Sequence, residues 1–484
     1  MQPAAPQENV DRYPSPDDPN IERLLQQREQ ALSQIPENQQ DTYINRAKAG
    51  VPIIEYLYDA RQAELAKLRP APGTMQMRPN LNFADFPELD GSTSCSNLGM
   101  IVVCRSLNVP YHWHGRPGDT TVSRVPTDYY AADVRSLYRS PNPVYLDLAT
   151  RITSEANFVK FQVLPAKSGQ GYRFDQLAQM MQRCFGSFQG TNDAYLSLAG
   201  LPKNSDGTVI VSDVPVRETH PMAASVPPPI LTQERLFPPS EILLVARKPS
   251  TDELAAARAA RVELDVRPVA LDAFVFLVNR SNPVVNLTMD QIREIYYHCE
   301  KGDPRLGRDD SKALSWSRYG GPNEKITVFE RGFNSGSREI MDELVMNLQV
   351  NDPAVAERIA QNRAWRHDPI FDSMMGPYLA LAGEERFGGA NTWGIAYSVY
   401  NYEHFLACTP EIRTLAINGV LPGYATIADG TYPLVSAVYV VTRKGISADS
   451  PAAKLRDWLL SDDGQRCVRE SGYVPINPKI VAEK

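Results

Sequence analysis

The spacing of apolar positions divides the 484-residue chain into two unequal regions. Residues 1–84 carry two helical patterns, 21–35 and 41–68, separated by Pro36. In the second, Ile53, Ile54, Leu57, Tyr58, Leu65 and Leu68 recur near helical spacing, so one face is expected to dock on another surface. Pro52 within it predicts that the helix starts afresh there. This region reads as an appended helical arm. From Leu81 onward, short apolar runs alternate with amphipathic stretches, the signature of α/β architecture. Helices are expected at 96–107, 174–183, 193–198, 251–261, 289–298, 338–348, 353–362 and 452–460, and strands at 241–246, 263–268, 274–278, 326–329, 395–398 and 437–441. No internal repeat is evident.

Composition narrows the picture. The length allows two to four domains at roughly 100–200 residues each. The 39 prolines outnumber the 29 glycines and cluster at 3–19, 70–79 and 221–239, marking linkers and surface excursions. With 50 Lys+Arg against 57 Asp+Glu the net charge is −7, so no general positive field attracts nucleic acid or an anionic membrane. Any anion must be held by a local site. No run approaches the roughly 20 apolar residues of a membrane span, and a soluble chain is expected. The six cysteines form no CxxC pair and no zinc-like spacing, and the even count leaves both disulfides and buried thiols open. The first residues lack the basic and apolar regions of a signal peptide and read like a trimmed, mature start.

Candidate chemistry lies in three small, hydroxyl-rich turns, each opening a helix. They are Asp90-Gly91-Ser92-Thr93-Ser94-Cys95-Ser96, Gly190-Thr191-Asn192-Asp193-Ala194-Tyr195 and Arg331-Gly332-Phe333-Asn334-Ser335-Gly336-Ser337. A helix start exposes unpaired N–H groups and the positive end of the dipole, which suits an anion. Ser and Thr hydroxyls add donors, and Gly lets the main chain approach a ligand. Capping preference alone explains any one such turn. Three together, one preceded by an arginine, point further.

The order DGSTS, GTNDAYLSL, SEILLVARKPSTDEL, VALDAFVFLVN with LTMDQIREIY, RGFNSGSREIM, WGIAYSVY and TYPLVSAVYVVTRKG resembles the phosphate-binding component of bacterial ABC phosphate transporters over about residues 88–477. The resemblance implies a two-lobed, periplasmic-binding-protein-like α/β fold of type II, to which the N-terminal helical arm at 1–84 is added without a counterpart in the family. Lobe 1 would comprise 85–268, with insertions at about 108–173 and 200–239, and would resume at 434–484; lobe 2 would be 269–433. Hinge crossings are expected near 267–273 and 432–436. The ligand set implied is Thr93, Ser94 and the backbone of Cys95 from the first turn, Thr191 from the second, and Arg331, Ser335, Gly336 and Ser337 from the third, Arg331 making a charge-assisted contact. One position departs from the pattern. Where the family often has an acidic Ser-Asp-x-Pro turn, this chain has Ala246-Arg247-Lys248-Pro249, while Ser212-Asp213-Val214-Pro215 lies upstream. Either the 200–239 excursion displaced the true turn, or Arg247 adds a second positive ligand group.

The function so implied is capture of an oxyanion, phosphate foremost, by an exported, extracytoplasmic monomer that serves an ABC-transporter permease, without cofactor or metal. A lipid anchor on the natural N-terminus is compatible with this. Two other readings stay open: a sensory or protein-interaction module on the same fold, and a phosphate-ester hydrolase with a base facing Ser94 or Ser335. His112-Trp113-His114 has a metal-like spacing but no third ligand nearby, His298-Cys299 ends a helix, and Thr288 with Gln291 forms a capping box. No GxSxG elbow, P-loop or GxGxxG occurs.

Overall fold

The computed structural model describes residues 18–36, 43–82, 84–108, 111–114, 159–160, 162–165, 188, 190–201, 239–299, 314–332, 335–346, 370–371, 374, 376–382, 392–408 and 410–483. The expected helices at 174–183 and 353–362, the Ser212–Pro215 turn, and most of 108–173 and 200–239 lie outside them, as do the side chains of His112, His114, His298 and Cys299. Eight strands form one mixed sheet: β1 (Leu89–Gly91), β2 (Ile242–Val245), β3 (Leu264–Asn279), β4 (Thr327–Val328), β5 (Gly394–Val399), β6 (Ile412–Thr414), β7 (Val435–Arg443) and β8 (Val474–Pro475). Their order is β1-β2-β7-β3-β5-β4, and β6 and β8 also pair with β3.

β3 makes this sheet two-lobed. Its first ten residues pair with β7, ending at Ala273 opposite Val435, and the next pair with β5, beginning at Phe274 opposite Val399. One lobe is therefore built on β1, β2, β7 and the start of β3, the other on the end of β3 with β4, β5 and β6. The two strands expected at 263–268 and 274–278 are one. Pro268 lacks an N–H, yet it does not end the strand, because the register slips by one residue between Val438 and Tyr439 opposite it; a bulge absorbs the missing donor.

At the change of partner sits Asp272, 2% exposed, whose Oδ1 accepts the N–H groups of Ala273 at 2.8 Å and Asn401 at 3.0 Å. Burial lifts its carboxyl to about 7, against the pull of those two donors.

The helices used below are α1 (Pro19–Ser33), α2 (Tyr43–Leu68), α3 (Ser96–Ser106), α4 (Thr191–Leu198), α5 (Thr251–Ala259), α6 (Met289–Cys299), α7 (Gly336–Ile340), α8 (Pro451–Leu459) and α9 (Asp462–Glu470). Every residue of β2 is buried, because both faces are covered. Leu243 and Val245 pack on Ala194, Tyr195 and Leu198 of α4, while Ile242 and Leu244 face the main core with α3. α7 runs directly into a wider π-type turn, Met341–Val345, where one helix was expected. The arm is part of the same core through Ile21, Leu24, Ile53, Leu57, Leu65 and Leu68. α2 does not restart at Pro52 as expected but passes through it. An internal proline costs about 3 kcal/mol, but Pro52 is exposed while Ile53, Leu57, Ala60 and Leu65 on the helix are fully buried, each contributing in the opposite sense. Among the described residues Cys95, Cys104 and Cys467 are buried and free, and no helix is long and apolar enough to cross a membrane.

A carboxyl whose folded value lies above its unfolded value of about 4 binds its proton more tightly when folded. Its contribution favours the folded state at low pH and is lost as pH rises from about 4 through about 7. Asp272→Asn is therefore expected to flatten the fall in unfolding free energy between about pH 5 and pH 8. An unaltered slope in urea melts at the two pH values would refute the buried, neutral carboxyl.

Candidate functional site

The first turn is set by main-chain contact. A Cβ on Gly91 would lie 1.9 Å from the Leu244 carbonyl oxygen, so only glycine lets β1 run this close to β2. Asp90 Oδ1 accepts the N–H groups of Gly91 and Phe188, each at 2.8 Å. The chain then leaves β1 with the Ser92 N–H donating to Leu244 O at 2.9 Å, and Ser92 Oγ accepts the Ala246 N–H at 3.0 Å. Thr93–Cys95 forms one 3₁₀ turn that leads into α3.

The other two turns open α4 and α7. Gly190 is the N-cap of α4, with Thr191 its first residue, and Thr191 Oγ1 lies 2.6 Å from Ser92 Oγ. Ser335 caps α7, its Oγ accepting the Arg338 N–H at 3.3 Å, so the capping role weighed for this turn is present. The turns come from different lobes yet nearly touch: a Cβ on Gly336 would lie 2.7 Å from Thr191 Oγ1. The cleft is closed at this point, and the absence of a side chain at 336 is what permits it.

Between them lies a cavity of about 190 Å³. Thr93, Ser94, Thr191, Arg331, Ser335, Gly336 and Ser337 all line it, together with Ser92, Asn192 and Asp193. Arg331 is 7% exposed, and its N–H donates to the Tyr397 hydroxyl at 3.0 Å. The neighbouring Glu330 carboxylate is engaged by Arg338, which also reaches Asp342 at 3.1 Å. The acid next to Arg331 in sequence is thus engaged by a different guanidinium. The charge of Arg331 is felt at Tyr402, whose hydroxyl burial pushes well up while Arg331 pulls it down.

Cys95 and Arg247, expected among the ligand groups, do not join this lining. The Cys95 N–H donates to Ser92 O at 2.8 Å within its own turn, and burial pushes the thiol up to about 12. Arg247 is 4% exposed and forks onto Glu253 at 2.7 and 2.8 Å. Burial works to lower the pKa of its guanidinium, but Glu253 holds it above the ordinary value. The Tyr195 hydroxyl donates to Arg247 O at 2.9 Å, fixing the turn from α4. Glu253 also accepts the Ser250 N–H at 2.7 Å, completing the capping box of α5. Arg247 is therefore committed to the start of α5, a corrected placement for the basic residue at 247. Ser92, Asn192 and Asp193 also line the cavity and were not anticipated, although all three stand within the turns already singled out.

Arg247→Ala is expected to lower the unfolding free energy by about 3–5 kcal/mol, because it strands the buried Glu253 carboxylate. Arg247→Met combined with Glu253→Leu should recover most of that loss. A single variant as stable as the parent in urea would refute the pairing.

The chain is similar to several known proteins. Residues 139–463 match the family model of the PBP superfamily domain. Protein SphX of Synechococcus elongatus is 24% identical over 245 residues, covering 49% of this chain and 64% of that protein. The phosphate-binding protein PstS of Pseudomonas aeruginosa is 27% identical over 230 residues, covering 45% and 61%. The chain thus spans less than two thirds of the length of either relative. Among solved structures, an ABC-type phosphate transport receptor from Vibrio cholerae overlaps 49% of this chain and 80% of its own, at 20% identity and a TM-score of 0.33. With its family model matched over two thirds of its length, this chain belongs to the PBP superfamily.

Proposed function

We propose that the chain is a non-enzymatic binding protein that captures a small oxyanion, inorganic phosphate foremost, between its lobes outside the cytoplasm and delivers it to the permease of an ABC transporter. The observation that carries this reading is the convergence of three helix-opening turns, from both lobes, on one cavity with the buried Arg331 in its wall. Helix starts offer N–H donors and a favourable dipole, the hydroxyls offer directional donors, and Arg331 offers a charge-assisted contact. At about 190 Å³ the cavity is smaller than the roughly 300–1,000 Å³ of drug-sized sites, which suits an anion of a few heavy atoms. The relatives named as phosphate-binding proteins support the same ligand class. Binding across both lobes would select the closed arrangement by differential affinity.

Asp193 bears on which anion is taken. A carboxylate in the lining accepts a hydrogen bond from an anion that keeps a proton near neutral pH, as phosphate does. It repels one that keeps none, as sulfate does.

Equilibrium titration of the ligand-free protein with phosphate, sulfate and a phosphonate tests the reading, and no binding of any of them at millimolar concentration would sink it. Arg331→Ala is expected to weaken phosphate binding by more than about 1.5 kcal/mol; an unchanged affinity would remove Arg331 from the site. Asp193→Asn should narrow the preference for phosphate over sulfate, and an identical ratio of affinities would exclude it as the selecting group.

A further inference from the structure

The N-terminal hairpin of α1 and α2 is fastened to both lobes. On the lobe that carries α8 and α9, Arg469 Nη2 donates to Lys67 O at the end of α2 at 3.5 Å, and in the segment that follows the helix Asp463 accepts the N–H groups of Gln76 at 3.1 Å and Met77 at 2.6 Å while Trp458 Nε1 donates to Met77 O at 3.0 Å. On the other lobe, Arg28 of α1 pairs with Glu411, the residue before β6, with side-chain exposures of only 7% and 14%. Glu411 in turn holds the end of β3, its carbonyl accepting the Arg280 N–H at 2.7 Å. Between these anchors, Glu64 of α2 meets the fully buried His404 ring at 2.6 Å, and Arg61 Nε donates to His404 O. The hairpin is itself tied together by the Tyr56 hydroxyl donating to Asp18. α2 runs for 26 residues, about 39 Å, and its buried face packs into the core that both lobes share.

A rotation of the lobes bends β3 and β7 near Asp272 and Ser436, and it moves Glu411 relative to Asp463. A hairpin bonded to one lobe through Arg28 and to the other through Lys67 and the segment up to Met77 resists that displacement. All these contacts coexist with the closed approach of Gly336 to Thr191. We propose that the N-terminal hairpin is a strap across the hinge, whose contacts with the two lobes are formed together only in the closed arrangement and which therefore biases the protein toward closure. This rests on the reading of the cavity as a site that opens and closes around its ligand. By linkage, any contact made only in the closed form slows ligand release as well as opening.

The test uses the full chain carrying Arg28→Ala, Glu411→Ala, both together, and the near-isosteric Glu411→Gln in case the alanine variants fail to fold. Small-angle X-ray scattering of ligand-free protein reads opening directly, and stopped-flow displacement reads phosphate release. Each single variant is expected to enlarge the ligand-free radius of gyration and to speed phosphate release about fivefold or more, with the double variant no worse than the singles. Folded variants that keep the parental radius and release rate, losing only thermal stability, would overturn the strap. If the parent protein itself binds no phosphate, the proposed ligand falls, while the scattering of ligand-free variants still decides for or against the strap.

Discussion

One strand that changes partners without breaking governs the rest of the molecule. β3 gives its edge first to β7 and then to β5, and the exchange leaves a point where neither ladder supplies the next bond. Asp272 fills it, taking the N–H of Ala273 on its own strand and that of Asn401 after β5. A buried carboxyl is an expensive way to satisfy two main-chain donors, yet two unpaired donors would cost a comparable amount. Continuity has a mechanical result: the two halves of the sheet share β3, so any motion between them has to bend that strand rather than swing on a loose linker.

Around that frame, buried charge is sorted into two kinds. Arg247 and Arg338 are locked to acids, Glu253 in one case and Glu330 with Asp342 in the other, and each pair fastens a helix start. Arg331 is buried to a similar degree but stands in a cavity wall. Position relative to the cavity, more than burial, separates these guanidinium groups.

Local pattern exposed much of this in advance. The α/β alternation, the strand at 241–246 and the three helix-opening turns are short-range features, and Thr191, Arg331 and Ser335 are read from single turns. What stayed hidden depends on distant partners. Nothing near Arg247 in sequence shows whether it faces the cleft or Glu253, since both lie on the same turn of chain. Pro268 breaks a strand only if its N–H is needed, and the bulge beside it forms against a partner, Val438 and Tyr439, some 170 residues away. α9 escaped notice because its buried positions include Asp463, Gln465, Arg469 and Glu470, an inward face that is polar. Its Gln465 bonds Val269 O and Leu459 O, and its Asp463 serves the arm, so its pattern follows partners instead of hydropathy.

The hydroxyl of Ser92 links these scales. It receives the Ala246 N–H from the end of β2 and lies 2.6 Å from Thr191 Oγ1. Each hydroxyl carries a single hydrogen. When Ser92 spends its hydrogen on Thr191, that of Thr191 is released toward the cavity, and the three groups form a chain polarised from a buried peptide outward. The orientation of the hydroxyls at the cavity wall then originates in the sheet's own main chain, and not in the turn alone.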